Sequence, residues 1–276
     1  MSLPRFNAGA YLQPLREGGS LPAVVETEGG LFVAKFRGSG QGPRALIAEV
    51  VVGLLAGELG LPVPEIAEIV VPEGLAADQR DPEIRELVDR SVGANIGLRY
   101  LDGAFNFDAR AAGEFVTPEL AASIVWLDAL TTNPDRTPRN PNLLIWDRRP
   151  WLIDHGSALY AHHAWESTDA ERTRTAFGLI RNHVLLLHAA DLAEADARLH
   201  ARLEGDTVAR VVSCVPEGLL MDPLARGFFG SADEARDRYV RYLKRRLEGP
   251  RAFAVEAAKA QAERRSEPPR RLEVRR

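Results

Sequence analysis

The sequence predicts an α+β fold in which a strand-rich first third is followed by a mainly helical remainder. Three observations predict it. Branched and aromatic residues form short runs separated by turn chemistry before residue 103, and apolar residues recur at helical spacing after residue 115. The 276 residues suffice for two lobes with a cleft between them, the kind of place ligands favour.

Gly18-Gly19-Ser20 comes first, as a glycine loop ahead of the first strand. Ala23-Val24-Val25-Glu26-Thr27 and Leu31-Phe32-Val33-Ala34-Lys35-Phe36 then read as a hairpin around Glu28-Gly29-Gly30. Gly38, Gly40 and Gly42 read as a mobile connection to a helix over roughly 44 to 59, where Leu46, Val50, Leu54 and Leu55 share one face. Gly60 stops that helix and Leu61-Pro62-Val63-Pro64 extends the chain again. A strand follows over 66–71, then a charged insertion with a short helix over 72–90, then a strand over 95–101 that Asp102-Gly103 ends.

Thr117 is an N-cap with Pro118 at the first helical position, and Leu120, Ile124, Leu127 and Leu130 form the apolar stripe of the next helix. It delivers the chain to Asn133 and Asp135. Two short strands flank Asp147-Arg148-Arg149-Pro150, and helices are expected over 168–190, 191–203, 206–214 and 231–264. The arginine-rich residues 265–276 read as a flexible tail.

The net charge of -4 and pI near 5.9 give no strong nucleic-acid signal, since a coat for nucleic acid leaves a basic footprint. The single Cys214 rules out an intramolecular disulfide and a cysteine-rich zinc site. The N-terminus lacks the apolar core of a signal peptide and no apolar run approaches the ~20 residues that span a bilayer, so a cytoplasmic protein with no membrane span is expected.

Asn133-Pro134-Asp135-Arg136-Thr137-Pro138-Arg139-Asn140, followed by Asp154-His155-Gly156, carries the chemistry. Metal-dependent phosphoryl transfer needs oxygen ligands for a divalent ion, a cation on the phosphates and a base or orienter beside the acceptor hydroxyl. Asn140 and Asp154 supply the metal ligands, Asp135 the base or orienter, and Lys35 the cation, with Glu49 on the following helix fixing its rotamer. Each has a plainer reading singly, as a turn residue or a solvated charge. Their order along the chain favours the set.

That order resembles the protein-kinase-like superfamily, and most closely the HipA-like kinases and their relatives among phosphatidylinositol kinases. Arg136 directly after Asp135, Asp-His-Gly in place of Asp-Phe-Gly, and Leu59-Gly60-Leu61-Pro62-Val63-Pro64 carry the likeness, which covers about residues 12 to 190. The resemblance implies a bilobal kinase fold, with a small, mainly antiparallel N-lobe over 1–103 and a larger, mainly helical C-lobe over 104–264. It implies ATP and Mg2+ as cofactors, Asp135 as the catalytic residue, an adenine-contacting hinge at Tyr100-Leu101-Asp102-Gly103, and phosphate contacts from Gly18, Gly19 and Ser20.

The departures also matter. Toxin-type members carry an additional N-terminal subdomain that contacts an antitoxin, whereas this chain begins almost at its shortened glycine loop, so an antitoxin partner is not implied. The acceptor stays open between a protein Ser/Thr, a lipid headgroup and a small metabolite. Two rival readings are a nucleotide-binding pseudokinase acting as an interaction module and a small-molecule kinase resembling aminoglycoside and choline kinases.

Other features read as structural. His162-His163 with His155 belongs to a polar segment, and His183 and His188 bound the core face of a helix. The basic run from Arg236 to Arg246, with Tyr239 and Tyr242, reads as a solvated helix face.

Overall fold

The computed structural model describes residues 2–15 and 21–267, so Gly18, Gly19 and Ser20 lie outside the described residues. The chain is α+β, strands first and helices later. Strands β1 (Arg5–Pro14), β2 (Ala23–Thr27), β3 (Gly30–Lys35), β4 (Ile66–Val71) and β5 (Gly93–Arg99) close into a barrel in the order β1-β2-β3-β5-β4. Its pairings are antiparallel except β1 with β4, where Arg5–Asn7 run parallel to Glu68–Val70. The expected antiparallel sheet is thus a closed barrel. The difference comes from β1, which no sequence signal predicts. Only Ala8 and Tyr11 of its ten residues are buried, and Gly9 and Pro14 dilute its strand character.

Tyr11, Val25, Phe32, Phe36, Ile69 and Val71 fill one core, closed by Ile84 and Val88 from α2 (Pro82–Asp89). Helix α1 (Gly42–Glu58) belongs to the second and larger core. It touches β4 and β5 as well as two later helices, α7 (Thr207–Ser213) and α8 (Glu217–Leu220). A helix apolar nearly all round must be buried nearly all round, and Glu49 is the exception within it, fully buried.

Short β6 (Phe105–Asn106), β7 (Leu143–Trp146) and β8 (Arg149–Leu152) form a second sheet, ordered β6-β7-β8. Asp147 and Arg148 join β7 to β8 with φ of +49° and +58°, the paired left-handed conformation of a tight two-residue hairpin turn. The helices are α3 (Ala112–Phe115), α4 (Pro118–Leu130), α5 (Ala170–Thr173), α6 (Leu192–His200), α7 (Thr207–Ser213), α8 (Glu217–Leu220), α9 (Ala232–Leu247) and α10 (Ala252–Ser266). As expected, the Thr117 hydroxyl caps α4 by accepting from Leu120 N–H at 3.2 Å.

Two expected helices are corrected. Residues 168–190 hold only the single turn of α5 and a 3-10 turn at Gly178–Asn182. Gly178 interrupts the run, and His183 turns inward so that its Nδ1 accepts from Leu185 N–H at 3.0 Å, which bends the leucine-rich stretch out of helix. The helix expected over 231–264 is two, α9 and α10, parted at Gly249-Pro250, where proline offers no N–H to continue the ladder.

Arg246 of α9 is 3% exposed and donates to the carbonyls of Ala129, Leu130 and Thr173 at 3.0, 2.6 and 2.9 Å. A cation at the C-terminal end of α4 meets the carbonyls that helix leaves unpaired. Arg246→Met is expected to cost about 2–4 kcal/mol, because the apolar replacement leaves those carbonyls buried and unmet. Urea denaturation with an unchanged slope and a lowered midpoint checks it.

Candidate active site

Lys35 ends β3, where its pairing with Ile96 of β5 fixes the backbone. Its Nζ donates to Glu49 Oε2 at 2.8 Å and to Asp154 Oδ1 at 2.6 Å. Burial alone would lower the Lys35 ammonium, but the two carboxylates outweigh it and hold it above its ordinary value. Burial would raise Asp154, and the Lys35 charge reverses that, holding its carboxyl below the usual range. Lys35 and Asp154 are 119 residues apart in sequence, so one ammonium joins the barrel to the hairpin.

Glu49 Oε2 also accepts from the backbone N–H of His155 at 2.8 Å, while its Oε1 is buried with no partner among the described residues. Asp154 itself sits at φ +56°, a strained conformation for a non-glycine residue of the sort that clusters at functional positions. Gly156 lies against the start of α1, where a Cβ would come within 3.3 Å of Ala45 Cβ. Helix α1 therefore grips the Asp154-His155-Gly156 turn by both side chain and close approach.

Asp135 and Asn140 meet as the spacing predicts. Asp135 Oδ2 accepts from Asn140 Nδ2 at 2.9 Å and from Asn142 Nδ2 at 3.2 Å. Asn142 Nδ2 also lies 3.5 Å from the carbonyl of Asp154, so this residue ties the two segments together. Sequence reading passed over Asn142. Tyr100, Leu101, Asp102 and Gly103 leave the barrel after β5; Leu101 is buried, Gly103 turns with φ +77°, and the Asp102 carbonyl accepts from Trp146 Nε1 at 2.8 Å. In the connection after Lys35, Gly38 N–H donates to Ser91 Oγ at 3.1 Å and Gly42 N–H to Ser39 O at 2.9 Å.

Beneath the Asp135 loop lies a network the sequence did not announce. Asp128 of α4 is fully buried and accepts from Arg136 Nε at 2.6 Å, from His183 Nε2 at 2.9 Å and from Asn133 Nδ2 at 3.0 Å. Arg136 donates onward to the carbonyl of Asn142 and lies 3.4 Å from that of Ile153. Asn133 Oδ1 in turn accepts from Asp135 N–H at 3.1 Å. Burial, only partly offset by Glu49, pushes His155 down to about 4, so its imidazole is neutral near pH 7 and its Nδ1 accepts from Arg136 Nη2 at 3.3 Å. Arg136 and His155, which directly follow Asp135 and Asp154, are thus each held by a buried partner. His183 is a member of this network and not a boundary residue of a helix; His188 Nε2 sits on the Val116 carbonyl at 2.5 Å.

The model of the HipA-like kinase family matches residues 12–196, about two thirds of the chain. The chain belongs to the HipA-like kinase family. A crystal structure of the Helicobacter pylori proinflammatory kinase CtkA is similar in fold, with a TM-score of 0.55 at 12% identity over 94% of this chain and 98% of that one. No curated protein matches the chain. Family and fold agree that this HipA-like chain is a kinase.

Proposed function

We propose that the chain is an ATP- and Mg2+-dependent phosphotransferase that moves the γ-phosphate of ATP to a hydroxyl, with a protein Ser or Thr as acceptor. The observation that carries the reading is the Lys35 ammonium held between Glu49 and Asp154 while Asp135 is tied to Asn140 and Asn142. In this reading residues 1–103 form the nucleotide-facing lobe and 104–264 the acceptor-facing one. Tyr100, Leu101, Asp102 and Gly103 meet the adenine, and Gly18, Gly19 and Ser20 the phosphates.

The donor set fits magnesium. Asn140 Oδ1 and Asp154 Oδ2 accept no hydrogen bond among the described residues, and the Asp154 side chain is 36% exposed. Carboxylate and amide oxygens are the hard ligands that ion takes, and it retains waters rather than a closed protein cage. Bound there, it would neutralise charge on the triphosphate. Lys35 places a second positive charge on the phosphates, and Glu49 holds its ammonium in place. Asp135 orients the acceptor O–H and takes its proton as the oxygen bonds to phosphorus and ADP departs.

Two variants test this assignment. Lys35→Met keeps the buried stem and deletes the charge, and Asp154→Ala deletes the metal ligand. Each is expected to weaken MgATP binding by about tenfold or more in calorimetric titration. Parent-like affinity in both folded variants would refute the assignment. Incorporation of labelled γ-phosphate into a Ser/Thr peptide library, and not into lipid or metabolite mixtures, supports the protein acceptor.

A further inference from the structure

Two hollows are lined only by residues that follow α4. One, about 420 Å³, is lined by Pro134, Tyr160, Phe177, Leu179, Arg172 and Tyr242. Pro134 directly precedes Asp135, and Tyr160 N–H donates to Thr132 Oγ1 at 3.3 Å, so this hollow opens beside the Asp135 loop. Its apolar lining is strongly exposed, with Tyr160 at 69% and Leu179 at 55%. The other hollow, also about 420 Å³, lies along the C-terminal half of α9 between Arg238, Arg241, Lys244 and Arg245. Tyr242 lines both, and α5 lends Arg172 to the first and Ala170 and Thr173 to the second, so the two hollows are neighbours.

The charge is one-sided. Among the described residues the only carboxylate lining either hollow is Glu248, and Arg245 holds it at 2.6 Å. Arg238 is committed to the carbonyls of Trp165 and Thr168. Arg172, Arg241 and Lys244 are exposed and form no ion pair among the described residues, although Arg172 Nη1 also donates to the Ser167 carbonyl at 2.9 Å. Tyr239 and Tyr242 point into the core, and Arg241 and Lys244 lie on the solvated side of α9, the face expected from the sequence.

We propose that these two neighbouring hollows together dock an acidic polypeptide segment of the acceptor protein. An apolar side chain seats against Pro134, Tyr160, Phe177 and Leu179, which brings a neighbouring hydroxyl to Asp135, and Asp or Glu residues further along meet Arg172, Arg241 and Lys244. The apolar half suits a side chain better than a phosphodiester backbone, which favours a peptide over nucleic acid. The inference deepens the protein-acceptor reading above and rests on it.

Docking is read without turnover by fluorescence anisotropy at constant MgATP and low salt. The probe is a short fluorescein-labelled peptide with Ala at the acceptor position, Leu beside it and a run of Glu beyond; its control carries Gln for every Glu. The Glu peptide is expected to bind the parent about tenfold more tightly than the Gln peptide, and the Arg241→Glu/Lys244→Glu variant is expected to erase that difference. Leu179→Asp is expected to weaken both peptides, and melting temperatures confirm that each variant is folded. Equal affinity for the two peptides, or an undiminished preference in the charge-reversed variant, overturns the docking site. So does a uridine-rich RNA oligomer that displaces the Glu peptide at lower concentration than the unlabelled peptide does. A Ser version of each peptide, offered with labelled ATP, separates the two ideas. Binding of the Glu form without phosphorylation sustains the docking site and removes the protein-acceptor reading, whereas equal phosphorylation of both forms sustains that reading and removes the docking site.

Discussion

Asp135→Asn is expected to slow phosphate transfer by about a hundred- to ten-thousand-fold while leaving MgATP affinity near that of the parent. The side chain keeps its size, and an amide oxygen still accepts from Asn140 and Asn142, the two partners of Asp135 Oδ2. What disappears is the anionic oxygen that, in the proposed mechanism, orients the acceptor hydroxyl and receives its proton. On the proposed assignment the loss falls on kcat, because the Lys35–Glu49 and Lys35–Asp154 contacts do not involve Asp135. Single-turnover transfer from labelled ATP, with calorimetric titration of MgATP on the same preparation, measures the two effects separately. A variant that transfers phosphate within about twofold of the parent rate would remove Asp135 from the chemistry.

The groups that would touch ATP were the legible part of the chain, and the groups that hold them were not. Lys35, Glu49, Asp135, Asn140 and Asp154 stand out in sequence because polar residues with a shared task recur in a fixed order on short, recognisable elements. The structure brings Lys35, Glu49 and Asp154 into direct contact and ties Asp135 to Asn140. Strands β2, β3 and β4 and helices α1, α4 and α7 were legible for a related reason, since each carries its own period and its own stop signal. Strand β1 was not, because most of its side chains face solvent and its identity comes from pairing with β2 and β4. The stretch from 168 to 190 misled through composition. Its leucines serve the core from turns, and the bend that puts them there is set by His183 reaching Asp128, a contact across 55 residues.

Asp128 carries a sequence signal of its own. Every residue of α4 from Ala121 to Leu130 is buried, so the apolar stripe of an amphipathic helix understates it. A carboxylate inside a helix buried on all sides requires a cationic partner, and Arg136 stands eight positions on, in the loop of interest. The same logic applies to Glu49 within α1, whose partner Lys35 the order of motifs had already suggested.

Asp128→Ala is accordingly expected to cost about 3–5 kcal/mol of stability, because it strands the Arg136 guanidinium, which is 1% exposed, without its counterion. For a chain of this size that lowers the melting temperature by roughly 10 °C. Burial would raise the Asp128 carboxyl, but Arg136 and His183 overcome it and hold it well below the usual carboxylate range. A folded value below the unfolded one means that this contribution is complete above the unfolded pKa and is lost only as pH falls through the folded one, so denaturation at pH 7 reports the whole of it. The double variant Asp128→Ala/Arg136→Met supplies the decisive comparison. Removing both charges leaves no buried ion, so its cost is expected to fall below the sum of the two single losses. Additive losses would mean that Asp128 and Arg136 act through separate contacts. Because Arg136 also holds the backbone on either side of the β7-β8 hairpin, through Asn142 and Ile153, the Asp128→Ala loss should extend to transfer rate at temperatures where the variant remains folded. A rate that held while stability fell would show that the Asp135 loop keeps its place without the pair, and would confine Asp128 to folding.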